Sequence, residues 1–265
     1  MRVEKVRLRS LGCLAVAAAL ALPTGTVMAG GPMRYTCTGG DIPSGTYASI
    51  TVTGACDVPA HAVISVVGNV NVAPGAFLDA QSAPSTIWVG HDVTAGKGSF
   101  VGLGCQPNYV DSHGNPIKTG HPCSDPYGSE SSTITIKGNV AAFGAGDFLI
   151  NGVTVRGNVT MIGGGNEMYP WSIKNNTIGG NLTVAGQTTD WLGVLFNSVG
   201  KNVILIDITV NDPGDPTPII FIVRNTIGRN LICFGLAPAV AGGFGGEVNV
   251  VGGLALGQCA NLQDL

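Results

Sequence analysis

From about residue 45 onward the chain is a succession of short apolar runs in which Val, Ile or Leu alternates with Thr or another polar residue. Thr133-Ile134-Thr135-Ile136, Val153-Thr154-Val155 and Leu182-Thr183-Val184 are typical, and each is bounded by Gly or Asn. Alternation of period two bounded by turn residues predicts strands with one buried face. Helical periodicity longer than two turns is absent once the N-terminal segment is set aside.

The runs recur. Asn176-Thr177-Ile178-Gly179-Gly180-Asn181-Leu182 returns as Asn197-Ser198-Val199-Gly200-Lys201-Asn202-Val203 and as Asn225-Thr226-Ile227-Gly228-Arg229-Asn230-Leu231, with a degraded copy from Asn249. Earlier copies keep only the second half, as in Gly68-Asn69-Val70, Gly138-Asn139-Val140 and Gly157-Asn158-Val159, with Asp92 replacing Asn after His91. The second polar position falls at 69, 92, 139, 158, 181, 202, 230 and 253, giving spacings of 23, 47, 19, 23, 21, 28 and 23. The two long steps contain loop insertions: Gly102 to Glu130, and the Pro-rich stretch from Asn211 to Pro218.

A period in the low twenties suits a coil of three short strands. Such a coil buries its apolar face only by stacking on its neighbours. The expected fold is therefore all-β: a right-handed parallel β-helix, a solenoid of eight or nine coils over residues 30–265, with a loop insertion at about 102–130. The uneven spacing favours the right-handed form over the left-handed hexapeptide type, which demands a stricter period. Gly and Asn suit the corners because both reach φ > 0 at low cost, and stacked asparagines can bond one another. The Asn column is read as structural, and the sequons at Asn158, Asn175 and Asn181 follow from composition.

Gly45-Thr46-Tyr47-Ala48-Ser49-Ile50-Thr51-Val52, Pro74-Gly75-Ala76-Phe77-Leu78, the repeated Asn-Thr-Ile-Gly-Gly-Asn-Leu and the ending Gly257-Gln258-Cys259-Ala260 resemble a group of exported, Gly- and Asn-rich proteins of actinobacteria. The resemblance covers most of the chain beyond the leader. It implies a bacterial, extracellular β-helix and carries no catalytic residue across.

Export is also expected from the N-terminus. Arg2, Lys5, Arg7 and Arg9 precede an uncharged apolar stretch from Leu11 to Leu22, and Val27-Met28-Ala29 offers a cleavage site, so residues 1–29 read as a signal peptide. The stretch is too short to span a bilayer. Cys13 lies too early in it for a lipoprotein anchor.

Of 13 Lys/Arg and 16 Asp/Glu, the leader holds four and one, which leaves 9 against 15, a net charge of −6. With no basic cluster, nucleic acid is excluded as a partner. Six cysteines remain: Cys37, Cys56, Cys105, Cys123, Cys233 and Cys259. An even count in an exported chain reads as three disulfides. Neighbour pairing is the simplest of the 15 connectivities that six cysteines allow. It would close the loop insertion through Cys105 and Cys123.

Catalytic chemistry is not visible. The Asn-x-Asp, Asp-Asp, Gly-His-Gly and Arg-x-Lys signatures of pectin-hydrolysing β-helices are all missing, and the acidic residues are scattered singly. No cofactor pattern is present. Asp207, Asp212 and Asp215 could hold calcium, although a solvated turn explains them as well. His113, His121, Asp111 and Asp125 share the long loop without a metal-ligand spacing.

Trp171 lies five residues before Asn176, and Trp191 lies six before Asn197. The two could stack on successive coils as a platform for sugar rings, or fill the interior. The expected role is a non-catalytic structural or surface-interaction protein, with binding or cleavage of cell-wall or other extracellular polysaccharide as the alternative. Unpaired terminal coils would also permit self-association.

Overall fold

The computed structural model describes residues 31–114, 116–166, 170–242 and 248–263; the expected signal peptide lies outside them. These residues are all-β, and no helix among them is long and apolar enough to cross a membrane. Nearly every strand pairs in parallel with a strand about one repeat later, and the pairs assemble into an 18-stranded and a 9-stranded sheet.

The pairing sorts the strands into three columns. One runs Val63–Val66, Thr86–Val89, Thr133–Ile136, Val153–Val155, Thr177–Ile178, Ser198–Val199, Thr226–Ile227 and Val250–Val251. A second runs from Met33–Cys37 and the end of Gly45–Val52 through Val70–Val72, Val93–Ala95, Val140–Phe143, Val159–Ile162, Leu182–Thr189, Val203–Val210 and Leu231–Ala237 to Ala255–Gly257. The third is the whole of the smaller sheet, from Gly40–Asp41 through Phe77–Ala80, Phe100–Leu103, Asp147–Asn151, Trp171–Lys174, Leu192–Leu195 and Ile220–Val223 to Val240–Ala241.

Because registers hold from repeat to repeat, like side chains stack. Val66, Val89, Ile136, Val155, Ile178, Val199, Ile227 and Val251 form one continuous line of register partners. All but the last are buried. Each such side chain taken out of water contributes roughly 1.5–3 kcal/mol, which no single repeat could collect alone.

Asparagine closes the corners in two ladders. The outer one follows the polar marker: Asn139 Nδ2 donates to Asp92 Oδ1, and Asn158, Asn181, Asn202 and Asn230 each donate to the preceding member. The inner one is buried. Asn176 Nδ2 donates to Asn197 Oδ1 at 2.9 Å, Asn197 to Asn225 at 2.9 Å, and Asn225 to Asn249 at 2.8 Å. Asn249 donates to the carbonyl of Leu262, so the C-terminal tail closes that ladder. Between the ladders stand Gly179, Gly200, Gly228 and Gly252. A Cβ on Gly228 would come within 2.4 Å of the Gly200 carbonyl oxygen, so close stacking admits no side chain there.

Three disulfides join sequence neighbours: Cys37–Cys56, Cys105–Cys123 and Cys233–Cys259. The second closes the long insertion, which carries a small antiparallel hairpin of Tyr109–Val110 with Pro116–Lys118.

Candidate functional site

The insertion leaves the third column after Leu103 and bonds again to its later strands. Asn175 Nδ2 donates to the Thr119 carbonyl at 2.8 Å, and Arg224 Nη1 donates to the Ile117 carbonyl at 2.6 Å. The loop therefore stands on the outward face of the smaller sheet. His121 contributes to a cleft on one side of it, and Thr119 to a cleft on the other.

The second of these clefts, about 380 Å³, is aromatic. Trp191, Phe196 and Phe221 line it with Lys174. The indole of Trp191 lies over Gly193, where a Cβ would come within 2.1 Å of its ring. Its centroid is 5.8 Å from that of Phe221, the register partner of Gly193, and 5.3 Å from Lys174 Nζ. Burial lowers the Lys174 pKa, as expected of an ammonium drawn partly out of water.

Backbone strain collects at the same place. The residue just before the inner asparagine sits at positive φ on successive repeats, Asn175 at 57°, Phe196 at 57° and Arg224 at 51°, as does Gly152 at 71° before Val153 one repeat earlier. Gly and Asn accept this conformation, whereas Phe and Arg hold it at a cost of about 1–2 kcal/mol each. Arg224 also lies 6.0 Å over the Phe196 ring.

The first cleft, about 640 Å³, is acidic. Asp79, Gln81 and Asp147 line it together with Phe77, Phe100 and His121. Phe77 and Phe100 are register partners whose rings stack with centroids 4.2 Å apart, and Asp147 follows Phe100 in the same line. Asp79 Oδ1 accepts from the backbone N–H groups of Gln81 and Ser82, both at 2.9 Å, which pins the turn. Asp147 is 2% exposed, and its Oδ1 has no hydrogen-bond partner within the protein. Burial pushes its carboxyl up to about 7 against a weaker opposing pull from the Phe148 N–H. His121 is held below its ordinary pKa by burial and then by the Lys174 charge, with Asp79 opposing.

Two sequence-based candidates are corrected. Trp171 and Trp191 form no common platform: Trp171 pairs with Leu192, one position further on, and is fully buried, with its ring centroid 6.4 Å from that of Phe148. Trp191 alone reaches the outer face. The Asp207, Asp212 and Asp215 trio does not assemble either, and no three His, Cys, Asp or Glu side chains converge as a metal site among the described residues. Asp207 is a corner residue at φ 51°, in the position that Gly186 and Gly235 occupy on its neighbours. Asp212 and Asp215 accept hydrogen bonds from the N–H groups of Gly214 and Thr217 within their own turn.

Phe221, Lys174, Asp79 and Asp147 were not singled out from the sequence. Only the register of the third column places Phe221 and Lys174 in one cleft and Asp79 and Asp147 in the other. Compared with known families, curated proteins and solved structures, the chain matches none.

Proposed function

We propose that the three columns are the faces of a right-handed parallel β-helix, and that the chain is an exported, non-catalytic surface-interaction protein that takes up extracellular polysaccharide at the aromatic cleft. The observation that carries this reading is the Trp191–Phe221 pair on the outward face, beside Lys174 and the strained Phe196. Aromatic faces offer sugar rings apolar contact at low entropic cost. A half-buried ammonium lacking a carboxylate partner among the described residues favours sugars bearing an acid group.

Affinity electrophoresis through gels containing uronate-bearing or neutral polysaccharides tests the reading. Retardation should be stronger with the acidic polymer and fall roughly tenfold in Trp191→Ala. Lys174→Gln should erase the preference for acid. If no polysaccharide retards the chain, or if Trp191→Ala leaves retardation unchanged, the reading fails; release of reducing ends would overturn its non-catalytic part.

A further inference from the structure

The acidic cleft lies on the other side of the insertion from Trp191, and its chemistry has the opposite sign. Its polar lining is dominated by acceptors. Asp79 Oδ1 accepts from the backbone of its turn, and Asp147 Oδ1 and Gln81 Oε1 are both buried without a partner. Leaving such groups unmatched costs about 1–3 kcal/mol each. Native structures retain that cost where a ligand or a reaction supplies the missing partner.

Negative charge extends beyond the cleft along the same column. Asp41, Asp57 and Asp79 are register partners on three successive strands. Asp57 is raised by burial first, then by the charges of Asp79 and Asp41. Among the described residues no Lys or Arg forms an ion pair with this line. His121, the nearest basic group in the lining, is biased toward its neutral form. The charged groups of the lining are thus carboxylates, and the nearby Lys174 ammonium acts on His121 from outside it.

We propose that the cleft between Asp79 and Asp147 binds an organic ammonium group, a protonated amine carried on a body the size of a sugar ring. The ammonium supplies the N–H donors that Asp147 Oδ1 and Gln81 Oε1 lack, and its charge answers Asp79. The stacked Phe77 and Phe100 rings give it an aromatic wall, a surface that attracts cations. Amino-sugar polymers and aliphatic polyamines share this chemistry. The two clefts share no lining residue, so either reading can fail without the other.

Isothermal titration calorimetry with the disulfide-bonded chain tests the proposal, using a glucosamine tetramer, its fully N-acetylated counterpart and spermidine. The free-amine tetramer should bind at least tenfold more tightly than the acetylated one. Spermidine that competes would assign recognition to the ammonium alone, whereas binding of the tetramer without spermidine would assign the site to amino sugars. Asp147→Asn should weaken binding about tenfold. Asp215→Asn, the same charge change at an exposed turn, should leave it unchanged. Gln81→Met provides the same reading if Asp147→Asn does not fold. Equal affinity for the amine and acetylated tetramers, no amine binding at millimolar concentration, or full binding by both variants would each overturn the proposal.

Discussion

Two of the places where the molecule buries polar side chains treat them in opposite ways. In the inner ladder the Asn197 side chain accepts from the Asn176 N–H and Nδ2, and donates to the Ile173 carbonyl and to Asn225 Oδ1. Nothing in that amide is left over. In the acidic cleft Asp147 is as deeply buried, yet one of its oxygens meets no donor. Matched polarity holds the repeats in register, whereas the unmatched oxygen of Asp147 lines a cleft where a donor from outside the chain is proposed to complete it.

The sharpest way to break the contrast is to remove a ladder rung. Asn197→Leu keeps the branched shape but strands the buried donors of Asn176 and the acceptors of Asn225 and Ile173, and should cost about 3–5 kcal/mol. Urea denaturation reads this as a lower midpoint. An unchanged midpoint would mean that the ladder is incidental to stability.

Asp147 should behave in the reverse sense. Its folded pKa of about 7 lies above the ordinary 3.8, so between those values the folded chain holds a proton that the unfolded chain has lost. The contribution is complete below pH 3.8 and disappears as pH rises through about 7, at up to about 1.4 kcal/mol per pH unit. Asp57, also raised, adds a slope of the same sign, so the diagnostic is the difference between wild type and Asp147→Asn. Denaturation from pH 4 to pH 8 should show a flatter profile for the variant, and a variant more stable than wild type at the alkaline end. Parallel profiles would show that Asp147 is not desolvated in solution.

The smallest effect concerns a corner. Asp207→Gly restores the residue that neighbouring repeats use at φ > 0 and should stabilise by up to about 1 kcal/mol, with no change on adding calcium. A calcium-dependent rise in the wild-type midpoint, lost in the variant, would revive Asp207 as a ligand.

Much of the framework was legible because it repeats. Residues 92, 139, 158, 181, 202 and 230, which mark the repeat in the sequence, are the members of the outer ladder. The two tryptophans show where such reading slips. Five residues before one asparagine and six before the next is a difference of one, and in strands of period two a shift of one turns a side chain to the other face. That signal was present in the spacing, and it separates the buried Trp171 from the outward Trp191.

Asp79 and Asp147 lay beyond any such count. The 29-residue departure from Gly104 to Ser132 separates them, and they meet only because Phe100–Leu103 pairs with the strand before it and the strand after that loop.

What the amino-acid order determined unaided was the repeat, the Gly and Asn corners and the neighbouring cysteines, since each depends on features recurring at short range. What the tertiary structure alone decided was which polar groups find partners. Hydrogen-bond satisfaction is a property of surroundings assembled from distant repeats and an insertion, and the alternation of apolar and polar residues cannot distinguish a buried amide with four partners from a buried carboxyl that lacks one.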